Sequence, residues 1–117
     1  MVMRPIEFNG TNPVDGYGPG YFRVAGRIVQ GAVLVSEAAV TPWGGVADTA
    51  PLLALAGRID VIFMGMGAEI AHPPRELVAA LEQVGIMVEP MASPTAARTY
   101  NVTLSEGRRV ACALLPV

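Results

Sequence analysis

The chain has 117 residues, 52% of them apolar and 15% charged, with eight basic against ten acidic side chains and a formal net charge of -2. That balance excludes a chain held open by self-repulsion, and the length suits one compact domain spanning residues 1–117. Every basic residue is arginine and the only cysteine is Cys112, so a phosphate-loop lysine, a lysine Schiff base, an internal disulfide and a cysteine-rich metal site are all excluded.

Residues 1–20 carry Gly10, Pro13, Gly16, Gly18, Pro19 and Gly20, the chemistry of turns, with a short strand expected at residues 5–8. Tyr21 to Val24 and the run from Arg27 to Val35 are rich in β-branched and aromatic residues and predict strands, with Gly26 as the turn or bulge between them. A loop from Thr41 to Gly45 holds the only tryptophan, Trp43, as a core anchor. A short Leu/Ala helical stretch then runs to Ala56, with Asp48 as its cap and Gly57 as its stop.

The second half alternates. Ile59 to Met64 predicts a buried strand. Arg75 to about Val84 predicts a helix with Leu77, Leu81 and Val84 on its apolar face. Ile86 to Glu89 predicts a strand. Ser93 is placed to cap a last helix that has Pro94 at its first position and ends at Gly107, with Ala97, Tyr100, Asn101 and Leu104 sharing one face. Val110 to Leu115 is apolar on both faces and predicts a strand inside a sheet. This order predicts a three-layer α/β domain: a central mixed sheet, flanking helices and an additional β layer from the N-terminal half.

No apolar run approaches the roughly 20 residues a membrane-spanning helix needs. Glu7, Asn9 and Gly10 interrupt the N-terminus before a secretory core could form. The expectation is no secretion or transmembrane signal, no membrane insertion and, in a prokaryote, a cytoplasmic protein. The arginines are scattered, with only Arg108 and Arg109 adjacent, which argues against nucleic acid as a partner. No coiled-coil heptad specifies an oligomer, leaving a monomer or a small homo-oligomer.

Three constellations could carry function. Gly65-Met66-Gly67 lies between a strand and a helix, where open α/β sheets often bind ligands, but Ile70 stands where a dinucleotide fingerprint needs its third glycine. Tyr17 and Tyr21 flank Gly18, Pro19 and Gly20, a turn that either seals a core or forms a binding surface. Thr95, Arg98, Thr99 and Asn101 cluster on the last helix, either as a structural polar network or as an anion site with Arg98 as a forked donor. No catalytic set, metal set or cofactor motif accompanies them. His72 is a lone histidine beside Pro73, and no serine lies in a nucleophile elbow.

Taken in order, Tyr17-Gly18-Pro19-Gly20-Tyr21-Phe22, Gly65-Met66-Gly67, Gly85-Ile86, Val88-Glu89, Ala97-Arg98-Thr99-Tyr100-Asn101, Glu106-Gly107-Arg108 and Ala113-Leu114-Leu115-Pro116 resemble a small family of uncharacterised domains. That family includes a mitochondrial respiratory complex I assembly factor and an adipogenesis-associated protein. The resemblance implies a three-layer α/β fold whose last strand runs antiparallel to its neighbours, and it supplies no reaction. Met66, Ala92 and Ser93 depart from the pattern, which has Thr in the first glycine turn and an acidic residue followed by Thr near the strand end.

The leading expectation is a protein-interaction or assembly-associated domain that contacts a partner through residues 17–22 and the last helix. The alternative is a small-anion or metabolite-binding protein, enzymes included, with a pocket near Gly65, Gly67 and Arg98. The candidate surface is Tyr17, Gly18, Gly20, Gly65, Gly67, Thr95, Arg98, Thr99 and Asn101.

Overall fold

In the computed structural model, which describes residues 12–117, the doubly apolar strand β8 (Val110–Leu114) becomes the centre of a five-stranded sheet. All five of its residues are buried. Its neighbours are β4 (Val33–Ser36), antiparallel, and β6 (Val61–Gly65), parallel. The last strand is therefore antiparallel to one neighbour only. Outside these lie the edge strands β5 (Val40–Pro42) and β7 (Met87–Met91), giving the order β5-β4-β8-β6-β7.

Period-two alternation sends neighbouring residues of each strand to opposite faces, and each face finds its own cover. Ile62 and Met64 of β6 and Ala111 and Ala113 of β8 pack with α1 (Ala50–Leu53) and α2 (Arg75–Gln83) through Leu52, Leu77 and Leu81. Val61, Phe63, Val110, Cys112 and Leu114 pack on the other face with α3 (Ser93–Ser105) through Ala97, Tyr100 and Leu104. That same layer contains a three-stranded antiparallel sheet of β1 (Val14–Gly18), β2 (Tyr21–Val24) and β3 (Arg27–Gln30), which contributes Val14, Phe22 and Val24. The expected mixed sheet, flanking helices and extra β layer are all present.

Several local expectations are corrected. The run from Arg27 to Val35 is two strands in two different sheets. Gly31 divides them: at φ +80° it takes a left-handed turn, and its N–H donates to the Gly20 carbonyl at 2.8 Å. The expected loop from Thr41 overlaps strand β5, which forms because Val40, Thr41 and Pro42 pair with Val35, Leu34 and Val33. Trp43 is buried as expected, and its indole donates to the Asp48 carbonyl. Asp48 does not cap α1. Thr49 occupies the cap position without a side-chain bond, and the Asp48 carboxylate accepts the Gly44 N–H instead. Val84 is 41% exposed, outside the buried stripe of α2. The strand expected at residues 5–8 lies outside the described residues.

Pro90 sits within β7 without breaking it. The Met87 N–H and the Met91 carbonyl both bond inward, to Asp60 and Met66. Alternation then turns the backbone of Val88 and Pro90 toward the open edge, where proline has no N–H to offer another strand.

Candidate functional site

The strands β6, β7 and β8 lie in the order β8-β6-β7, all parallel, with α2 and α3 on opposite faces of the sheet. The gap between β6 and β8 at their carboxyl ends is thus a topological switch point, where open sheets usually present a ligand crevice. Here protein fills it. The Ser93 N–H donates to the Gly67 carbonyl at 2.8 Å, and the Gly67 N–H donates to Ser93 Oγ at 2.9 Å. The Ser93 hydroxyl donates in turn to the Leu115 carbonyl at 2.6 Å. A Cβ on Gly65 would stand 2.7 Å from Ser93 Cα and 2.8 Å from Leu114 Cδ2, so this glycine is required for the close approach of α3.

Ser93 is therefore not the expected helix cap. Ala92 holds that position, and Ser93 is the first residue of α3, fully buried. Its hydroxyl joins the end of β6, the start of α3 and the segment after β8. Gly65 and Gly67 are buried beneath this junction and do not line the groove to which Arg98 belongs.

That groove lies between β1 and α3. It encloses about 230 Å3 and is lined by Val14, Asp15, Gly16, Tyr17, Pro94, Ala97, Arg98 and Asn101. Asn101 builds it. Its side-chain amide accepts the Val14 N–H at 2.9 Å and donates to the Val14 carbonyl at 2.7 Å, taking the place of a neighbouring strand on the open edge of β1. From the preceding residue, the Tyr100 hydroxyl donates to the Asn12 carbonyl at 2.9 Å. Two side chains of one helix thus hold a chain segment more than 80 residues earlier.

With β1 fixed, Tyr17 is 50% exposed beside the exposed Arg98. Among the described residues the Arg98 side chain has no hydrogen bond or ion pair. Asp15, on the opposite wall, is engaged by Arg23 at 3.6 Å and by the Gly26 N–H at 2.9 Å. Thr95 is exposed, and its carbonyl accepts the Thr99 hydroxyl at 2.8 Å, so Thr99 spends its donor within the helix. Neither threonine lines the groove. Gly18 lies directly beneath the ring of Tyr21, and the Gly20 N–H donates to the Val117 carbonyl.

Of the candidate residues, the structure brings Tyr17, Arg98 and Asn101 to one groove. It leaves Gly18 at the end of β1 and Gly20 in the adjoining turn, and it sends Gly65 and Gly67 into the packed junction. Asp15, Pro94 and Ala97 also line the groove but were not among the candidates. Their shared location depends on contact between β1 and α3, which no local sequence pattern encodes.

The buried ionisable groups are poor chemical reagents. Burial pushes the Cys112 thiol well above its ordinary value, and burial, with smaller contributions from Cys112 and Glu37, does the same to the Tyr100 hydroxyl. Both are uncharged at neutral pH, so neither is a nucleophile or base there. At the far end of the sheet a hydrogen bond from Arg109 at 2.8 Å lowers the Asp60 carboxyl. Among the described residues no group of three His, Cys, Asp or Glu side chains could hold a metal, and no helix is long and apolar enough to cross a membrane.

The family model described as "Protein of unknown function (DUF498/DUF598)" matches residues 14–115. An uncharacterized protein of Rhodobacter capsulatus is 53% identical over 117 residues, covering all of this chain and 94% of that protein. The NADH dehydrogenase (ubiquinone) 1 alpha subcomplex assembly factor 3 of Danio rerio is 31% identical over 117 residues, covering 94% of this chain and 67% of that protein. Among solved structures, the crystal structure of an outer membrane protein from Bartonella henselae is similar with a TM-score of 0.83 at 32% identity, covering 92% of this chain and 97% of that one.

Proposed function

This chain belongs to the DUF498/DUF598 family, and on that premise we propose that it is a protein-interaction domain that assists assembly of a protein complex through the groove between β1 and α3. The observation that carries the reading is the pairing of a half-exposed Tyr17 with an exposed Arg98 on a rigid frame. Tyrosine and arginine are the residues that most often anchor interfaces, because each brings a broad flat contact surface together with polar donors. The groove's 230 Å3 falls below the usual span of small-molecule sites, roughly 300–1,000 Å3. A flat aromatic and a free guanidinium at its rim suit a protein surface with a carboxylate opposite Arg98. The Danio rerio relative is named as an assembly factor, and the proposal carries that role to this chain as transient contact with a complex under construction.

The test is site-directed photocrosslinking in the native cell. A photoreactive residue at Tyr17 is expected to trap the same partner in repeated preparations, and Arg98→Glu to reduce the yield at least ten-fold. The same probe at Glu82 on α2, on the opposite face, serves as the control. A yield at Tyr17 no higher than at Glu82 overturns the proposal. Saturable binding of inorganic phosphate that Arg98→Ala abolishes, without any protein crosslink, establishes the anion-binding alternative in its place.

A further inference from the structure

We propose that a second site, the cleft between α2 and the edge strand β7, binds a small amphiphilic carboxylate, with its alkyl chain on Val78, Val88 and Pro90 and its carboxylate at Arg75 and His72. The cleft encloses about 530 Å3 and is lined by His72, Pro73, Arg75, Val78, Val88 and Pro90. That volume lies within the usual range for small-molecule sites. It lies on the α2 face of the large sheet, opposite the β1–α3 groove.

The lining separates into two parts. Val78 from α2, Val88 and Pro90 from β7, and Pro73 form an apolar floor. His72 and Arg75 are the only lining residues with polar side chains, and both are exposed. Among the described residues neither side chain makes a hydrogen bond or an ion pair. No carboxylate lines the cleft. Glu89 lies between Val88 and Pro90 in sequence, and strand alternation turns its side chain to the other face of the sheet.

Arginine is always charged and matches a carboxylate with two parallel donors. An imidazole beside it adds a further donor, and α2 begins there without a side-chain cap, its N-terminal dipole favouring a negative group. The apolar floor adds a hydrophobic gain proportional to the buried chain length. A ligand with only a charge loses that gain, and one with only a chain leaves Arg75 without a counter-ion. The two halves together select a molecule carrying both.

The test uses NMR of the full isotope-labelled chain titrated separately with octanoate, octanol and acetate. Octanoate is expected to give saturable shifts concentrated at residues 72–78 and 88–91, with affinity at least ten-fold above either other probe. Arg75→Gln, on an exposed position, is expected to lower octanoate affinity at least ten-fold and leave octanol binding unchanged. Val78→Trp, which fills the cleft, is expected to abolish both while amides outside α2 and β7 keep their positions. Octanoate binding no tighter than octanol or acetate, unaltered octanoate binding by Arg75→Gln, or shifts centred elsewhere overturns the proposal. None of these results depends on whether the β1–α3 groove holds a protein.

Discussion

Ser93 and Arg98 lie five residues apart on one helix and have opposite fates. Ser93 is fully buried, with its hydroxyl and its N–H satisfied by backbone groups from two other elements. Arg98 is exposed, with no protein partner among the described residues. The smaller polar group became a structural fastener because its position faces the packed end of β6. The larger one stayed available because its position faces the gap beside β1. Within one helix, depth in the layered structure, more than chemical type, separates polar residues that hold the fold from those that can meet a ligand.

Substitutions along this contrast test it in descending order of effect. Gly65→Ala is expected to cost the most, roughly 1–3 kcal/mol or more by overpacking, because the new methyl meets Ser93 backbone as well as side-chain atoms. A denaturation midpoint equal to wild type would mean that α3 does not approach β6 this closely. Ser93→Ala removes the acceptor of the Gly67 N–H and the donor to Leu115, and is expected to destabilise by about 1–3 kcal/mol. Hydrogen exchange should then rise first at Gly67. Asn101→Ala loses both bonds to Val14, for about 1–2 kcal/mol, and is expected to raise amide exchange along β1 before the large sheet loosens.

Asp60 sharpens the contrast from the solvent side. The Arg109 hydrogen bond holds its carboxyl below the ordinary value of 3.8, so its contribution is present above that value and lost as the pH falls through the lower folded value. The pair is solvent-exposed and the effect is small. Melting temperatures measured from pH 6 to pH 2.5 should fall slightly less steeply for Asp60→Asn than for wild type. Arg98→Ala is expected to have the least effect on stability, within about 0.5 kcal/mol. A drop comparable to that of Ser93→Ala would show that Arg98 is part of the frame and remove it from the candidate surface.

Much of the layered architecture was legible because hydrophobic periodicity is a local quantity. Leu77 and Leu81 announce the buried stripe of α2, and the unbroken apolar run of β8 announces an interior strand. Local reading failed where partners distant in sequence set the outcome. Arg27 to Val35 reads as one β-forming run, yet Gly31 sends its halves into separate sheets, because each half has a different strand to pair with. Ser93 before Pro94 carries the signature of a cap, yet Gly67 and Leu115 claim its hydroxyl. The candidate surface was half legible. Tyr17, Arg98 and Asn101 share a groove, while Gly65 and Gly67 serve the close approach of two backbones.

The amino-acid sequence by itself determined the strand and helix order from Ile59 onward, which faces of those elements are apolar, and that basic charge is too dispersed along the chain to predict a nucleic-acid surface. Those properties follow from side-chain chemistry read over a few neighbouring residues. Tertiary structure alone decided that the switch point at the end of β6 is closed and that two clefts open on opposite faces of the sheet. It did so because each depends on excluded volume and hydrogen bonds between segments that meet only when the layers pack.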